Sequence, residues 1–231
     1  EIKEWVIVSE TSSNNIFKGY DHYELESKVF KYRECINSEG DTQYHLVTNQ
    51  TPFYPEGGGQ IGDTGEIISN SASIAVKNTF RDGEDIIHLV DNLPIELGDS
   101  LLMKIDKNRR LSIQRNHTST HLLQVALKKT LGNHIEQRGS MLTEDIFRFD
   151  FSHQSKLSDK ELSDAEKLVK SLIKDEIQCI EEKQANYNDA VKAGAIGLFS
   201  EKYGDVVRTV KFGNSYELCG GTHVKNTSSI R

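Results

Sequence analysis

Over residues 1–105 the apolar positions come in short runs. Trp5–Val8, Lys28–Tyr32, His45–Thr48, Ser73–Lys77, Ile86–Val90 and Leu101–Ile105 are rich in β-branched and aromatic residues. Turn material stands between them at Asn14-Asn15, Glu39-Gly40-Asp41, Arg81-Asp82-Gly83 and Leu97-Gly98-Asp99. Short strands at this spacing predict a small barrel or sandwich. Near Asp106 the period changes. Residues 107–131 read as a helix that stops at Gly132, a good terminator. Residues 139–151 predict a hairpin, with Ile146-Phe147-Arg148-Phe149-Asp150-Phe151 alternating as one strand.

Ser158-Asp159-Lys160-Glu161 is a capping box, with serine at the cap and glutamate three residues on. Leu157 and Leu162 suit the accompanying hydrophobic staple. Leu162, Ala165, Val169, Leu172, Ile173 and Ile177 then follow helical spacing, so an amphipathic helix is expected to about Ile177. A shorter helix is expected across Asp189–Leu198, and strands at Val206–Val210 and Tyr216–Leu218. The expected fold class is α+β: a small β-barrel-like unit over residues 1–106, then an α+β core over 107–231.

Composition narrows the class. Hydrophobic residues make up 36% and charged residues 27% of 231, which suits a soluble globular protein. No apolar run approaches the roughly 18–20 residues of a membrane span, and no signal peptide is present. Three cysteines, Cys35, Cys179 and Cys219, make no disulfide framework, so a reducing cytoplasm is expected. The net charge of −7 argues against general nucleic-acid binding by bulk phosphate attraction. It leaves open a role at one end of a nucleic acid. The chain begins at Glu1 without methionine and stops at Arg231 in mid-pattern, and we expect it to be a fragment of a larger protein.

The chemistry concentrates in two places. In "NHTSTHLLQVAL", His117 and His121 are four apart, which on a helix puts them on one face, about 40° apart. Leu122, Leu123, Ala126 and Leu127 lie on nearly the opposite side, which disfavours core filling. Such a pair alone is more often a surface accident than a site. In "LCGGTHV", Cys219 and His223 are again four apart and bracket Gly220-Gly221. Two glycines let the backbone fold tightly enough for both side chains to converge. Taken alone, Cys219 would be a small buried apolar residue. Two pairs at ligand spacing, with mixed thiolate and imidazole donors, point to zinc. Four protein ligands fill a tetrahedral site, whereas a catalytic zinc keeps one position open. The sequence leaves both arrangements standing. His22, His45, His88, His134 and His153 lack such spacing and are read as structural or exposed, and Cys35 and Cys179 as ordinary small residues. Five glycines fall within residues 51–65, "TPFYPEGGGQIGDTG", and Gly57, Gly58 and Gly59 stand together. Bare backbone allows close approach of a ligand, though a tight loop between two strands would also use it.

These stretches, with "RNHTSTHLLQVALKKTLG", "QRGSMLTEDIFRFDFSH" and "ELCGGTHV" in this order, resemble the editing domain of alanyl-tRNA synthetase along essentially the whole chain. Free-standing alanyl-tRNA editing proteins are similar too. The two metal half-motifs are shared with the threonyl-type editing domain, but "PFYPEGGGQ" favours the alanyl type. The resemblance implies hydrolysis of tRNA(Ala) wrongly charged with serine or glycine. Its zinc positions match His117, His121, Cys219 and His223, and Gln137 matches a position that contributes to editing. Thr118, Gln137 and the Gly-rich segment are candidate partners for the serine hydroxyl, which gives the site a handle that alanine lacks. Residues 57–63 are expected to fold over the zinc and contact the aminoacyl-adenosine, with Gln60 and Asp63 in support. Lys107, Arg109, Arg110, Arg115, Lys128 and Lys129 either guide the acceptor end through its phosphates or form a solvated helix face. The implied partners are that acceptor end and the other domains of a full-length synthetase, with no membrane. The rival readings are a threonyl-type editor and a zinc-stapled RNA-binding module without activity.

Overall fold

A computed structural model describes residues 1–9, 15–69, 72–94, 97–198 and 203–230 of the chain. Asn14, half of one expected turn, lies outside them. The fold class is α+β. The chain divides into two compact units, one of residues 1–57 and 61–110, the other of 58–60 and 111–231.

The first unit holds β1 (Val6–Ile7), β2 (Ile16–Phe17), β3 (Glu24–Ile36), β4 (Thr42–Thr48), β5 (Gln50–Thr51), β6 (Gly65–Ser69), β7 (Ala72–Asp82), β8 (Asp85–Val90) and β9 (Ser100–Ile105). In the large sheet the order is β1-β3-β4-β8-β7-β6-β9, and β9 pairs back to β3. Strand β3 closes this circuit because it is long enough for two partners. Its first part, Glu24–Lys28, pairs with β9, and Val29–Ile36 pairs with β4. The register slips between Val29 and Lys31. That bulge hides the length of β3 from a period-two reading, which finds only Lys28–Tyr32. Inside the circuit Val29, Leu46, Phe53, Ile67, Val76, Val90, Leu101, Met103 and Ile105 form one buried cluster.

Two buried polar residues organise this core. His88 is fully buried. Its Nδ1 lies 3.0 Å from the Leu46 carbonyl and its Nε2 2.8 Å from Thr51 Oγ1. A carbonyl only accepts, so Nδ1 carries the proton and Nε2 accepts from the threonine. Burial drives the imidazole pKa down to about 4, against the carbonyl bond that favours the charged form. Above pH 6.5 the ring is neutral folded and unfolded alike, so it adds no pH dependence there. As pH falls below 6.5 the unfolded chain takes up a proton that the folded ring refuses. Stability is therefore expected to fall between pH 6.5 and about 4, by about 3 kcal/mol at most from this residue. Urea melts followed by Trp5, the single tryptophan, should show a steeper acid loss in wild type than in His88→Gln.

Arg110 is the second organiser and corrects the sequence reading. It stands among the basic residues expected either to guide phosphates or to form a solvated helix face, yet it is the largest fully buried side chain among those described. Its Nε donates to both oxygens of Asp63 at 3.0 Å, its Nη1 to the Gly19 carbonyl at 2.7 Å, and its Nη2 to the Pro52 carbonyl at 2.9 Å and to Asp63 Oδ2. Asp63 Oδ2 also accepts from the Tyr54 N–H at 2.7 Å.

The second unit begins within α1 (Lys107–Leu131), whose residues from Leu111 onward belong to it. It adds β10 (Gln137–Leu142), β11 (Phe147–Phe151), α2 (Asp159–Lys174), β12 (Ile180–Asn186), α3 (Tyr187–Lys192), β13 (Val206–Phe212) and β14 (Ser215–Leu218). Strands β10 and β11 form the expected hairpin, with Arg148 Nε 3.1 Å from Asp150 as its spacing suggests. The capping box on α2 is present in both directions. Strands β12, β13 and β14 make an antiparallel sheet. Strand β12, "IEEKQAN", was not foreseen: its charges suit a sheet edge, and Ala185 is its one buried residue. Helix α3 starts two residues earlier than expected, where the Asn186 side chain caps it by accepting from the Asp189 N–H, and it ends at Lys192, well short of the expected Leu198. Leu122, Val210, Phe212 and Val224 pack together, with Val169, Leu172 and Ile173 of α2 against them. No helix among the described residues is long and apolar enough to cross a membrane.

Candidate metal centre

The second unit brings His117, His121, Cys219 and His223 together. One donor atom from each lies within 4.8 Å of all the others. The histidines are 5%, 4% and 6% exposed in chain order, while Cys219 is half-buried. Around the histidines, α1 buries residues on several sides, including Ile113, Gln114, Thr118, Thr120 and Leu122. The pair therefore faces a second packed layer instead of solvent, which an apolar stripe alone does not reveal. The other pair sits on the turn that follows β14. Arg208 on β13 holds this turn by donating through Nη1 to the carbonyls of Cys219 and Gly221, each at 2.8 Å. Glu181 on β12 anchors the same guanidinium at 2.6 Å.

The glycines between Cys219 and His223 are not equivalent. A Cβ on Gly221 would lie 2.0 Å from Cε1 and 2.4 Å from Nδ1 of His117, whereas one on Gly220 meets nothing within 4 Å. Gly221 is thus the side-chain-free surface against which the His117 ring rests.

Each imidazole has one nitrogen engaged outside the group. His117 Nδ1 is 2.9 Å from Gln60 Oε1, and His223 Nδ1 is 3.1 Å from Thr118 Oγ1. His121 Nε2 lies 3.4 Å from Glu217 Oε2. The opposite nitrogens remain for a ligand. Those of His117 and His223, both Nε2, stand 3.5 and 3.3 Å from Cys219 Sγ. His121 Nδ1 is buried with no hydrogen-bond partner among the described residues. Such an orphan is rare, and a bound cation would satisfy it. A tetrahedral ion bonded at about 2.0–2.3 Å sets its donors roughly 3.5 Å apart. The group therefore fits a metal ion in both spacing and donor type.

Electrostatics favour the ligating form. Burial, then the neighbouring imidazoles and Arg208, hold His117 and His223 well below the usual histidine range. Burial also lowers His121, with Glu217 opposing and Arg208 assisting. All three rings are neutral near pH 7, as metal binding requires.

The other expected site residues fall in several places. Thr118 is fully buried, where its hydroxyl meets His223 and accepts from the Val224 N–H at 3.2 Å. Gln60 is fully buried as well. Gly57, Gly58 and Gly59 are exposed. Gly58 and Gly59 have φ of 59° and 81°, and a Cβ on Gly59 would lie 2.3 Å from Ser140 Oγ. The Leu142 N–H donates to the Gly59 carbonyl at 2.8 Å. Gln137 is half-buried at the start of β10 beside a bulge, and no hydrogen bond to another described residue holds its amide. Asp63 belongs to the first unit, with both oxygens engaged by Arg110. Sequence reasoning missed Glu217 and Arg208. Glu217 adjoins the Cys219 motif and was open to notice, while Arg208 sits in an ordinary strand pattern with no motif to flag it.

Residues 2–109 match the family described as tRNA synthetases class II (A), and residues 207–231 match the threonyl and alanyl tRNA synthetase second additional domain. Both matches are to aminoacyl-tRNA synthetases. Among curated proteins, the alanine–tRNA ligase of Christiangramia forsetii is 42% identical over 98% of this chain, and that of Cytophaga hutchinsonii 42% identical over all of it. The ligase of Bacteroides fragilis is 40% identical, again over 100% of the chain. Along essentially its whole length the chain is similar to one part of these alanine–tRNA ligases. It spans 26% of the length of each of these relatives.

Proposed function

We propose that this chain is a hydrolytic editor that removes serine or glycine wrongly esterified to tRNA(Ala), and that zinc occupies the His117–His121–Cys219–His223 group. The observation that carries this reading is the convergence of four zinc-type donors from two distant segments in a chain related along its length to alanine–tRNA ligases. Thiolate and imidazole together suit zinc better than other common divalent ions. A zinc ion bound there supplies Lewis acidity toward an ester carbonyl or water.

The protein's own groups have distinct tasks in this reading. Thr118 and Glu217 act from behind His223 and His121, fixing ring orientation as partners of ligating imidazoles do. Gln137 has an amide not committed to the fold, and in this reading it orients the amino acid or the attacking water. Strand β10 carries Gln137 and, through the Leu142 N–H, also holds the exposed backbone at Gly59. That backbone approaches the aminoacyl-adenosine where a side chain would block it. Asp63 supports the loop at a distance by fixing Arg110. The acceptor end of tRNA(Ala) and the remaining domains of a full-length synthetase are the partners, in the cytoplasm.

The test is ester loss from tRNA(Ala) charged with serine, glycine or alanine. Serine and glycine esters should be cleaved and the alanine ester spared. Cys219→Ala, folded, and the chelated wild type should each lose the activity by about 10²-fold or more. Preference for serine on tRNA(Thr) would point to a threonyl-type editor. A folded, zinc-loaded protein that cleaves none of these esters would leave only a structural RNA-binding module.

A further inference from the structure

We infer that Gln60 is a positioning residue of the metal centre: it fixes the proton of His117 on Nδ1 and so aims the Nε2 lone pair at the ion. This rests on the zinc reading above. It gives the residue a task other than touching substrate.

The inference follows from one donor whose direction is not in doubt. The Thr222 backbone N–H can only donate, and it lies 2.9 Å from Gln60 Oε1. The amide oxygen must therefore face it, which places Nε2 toward Thr222 Oγ1 at 2.9 Å, where it donates. A flipped amide would lose the Thr222 N–H bond and set two donors against each other, so the amide is held in this orientation. The same oxygen stands 2.9 Å from His117 Nδ1. An oxygen cannot donate, so the imidazole must, and Nδ1 carries the proton. The lone pair is then on Nε2, which faces Cys219 Sγ at 3.5 Å. Gln60 is itself fully buried.

Gln60 thus ties the two metal half-motifs to each other before an ion arrives. It bonds His117 of the helix pair and both the backbone and hydroxyl of Thr222, between Cys219 and His223. Its own place is fixed by a bridge to Leu142 of β10, next to the bond that Gly59 accepts from the same residue. The Gly-Gly-Gly-Gln order acquires a physical reason: exposed side-chain-free backbone for one task, then a buried amide for another.

Cobalt(II), whose thiolate-coordinated absorption reports geometry directly, is the probe, with circular dichroism of the metal-free proteins as the folding control. Gln60→Met keeps the volume and removes the acceptor, and its cobalt affinity should fall about 10–100-fold. Gln60→Glu restores both acceptor bonds and should bind within a few-fold of wild type, with the wild-type spectrum. Equal affinity in wild type and folded Gln60→Met would overturn the inference while leaving the metal site intact. So would a glutamate variant as weak as the methionine one. A wild type that binds no cobalt would sink the zinc reading and this inference together. Should Gln60→Met not fold, nitrogen-15 spectra of wild-type imidazoles decide the matter. A proton on Nδ1 of His117 is expected, and a proton on Nε2 refutes the assignment.

Discussion

Arg110→Ala is expected to destabilise the first unit by about 3–5 kcal/mol, the usual result of removing one partner from a buried ion pair. The reason is what stays behind. Asp63 would keep a buried carboxylate to which, among the described residues, the Tyr54 N–H still donates. The carbonyls of Gly19 and Pro52 would each lose a charge-assisted donor. Lysine should recover little, because one ammonium cannot reproduce a planar fork serving three residues. Denaturant melts followed by Trp5 fluorescence would measure the loss. A change under about 1 kcal/mol would mean that this buried guanidinium does not organise the strands around it.

The second large effect is expected at Gly221. Alanine there would put a methyl carbon 2.0 Å from the His117 ring, far inside contact distance, so either the ring or the turn must move. The turn is held by Arg208 through two carbonyls, so the ring is the part that gives way. A first ligand would then be lost, and metal affinity should drop by more than the about 100-fold that bounds the loss of an outer partner. Gly220→Ala, with open space at its Cβ, should keep the wild-type affinity. Zinc content after purification, with chelator competition, separates the two. Equal retention of metal by both variants would contradict the packing described for His117.

The metal group was legible in the sequence because its signals are local. A helical i, i+4 pair and a Cys-Gly-Gly-Thr-His turn each declare their spacing within five residues. The capping box of α2 and the alternation of β11 were legible for the same reason. What stayed hidden depends on residues far apart in the chain. Arg110 reads as one more basic residue on a basic helix turn, and only Asp63, 47 positions away, turns it into a core residue. Gln60 and Thr222, 162 positions apart, have no joint signature. The two-residue strands β2 and β5 carry too few positions for a period, and β12 carries the composition of an exposed loop.

His117 and Cys219 stand 102 positions apart, and this separation bears on how the chain acquires its shape. An ion gripping both would act as a reversible cross-link around a segment of about a hundred residues. In a covalent bridge such a loop limits the unfolded chain by about 4.7 kcal/mol of lost freedom. A ribosome must deliver Cys219, 102 positions beyond His117, before this clasp can shut.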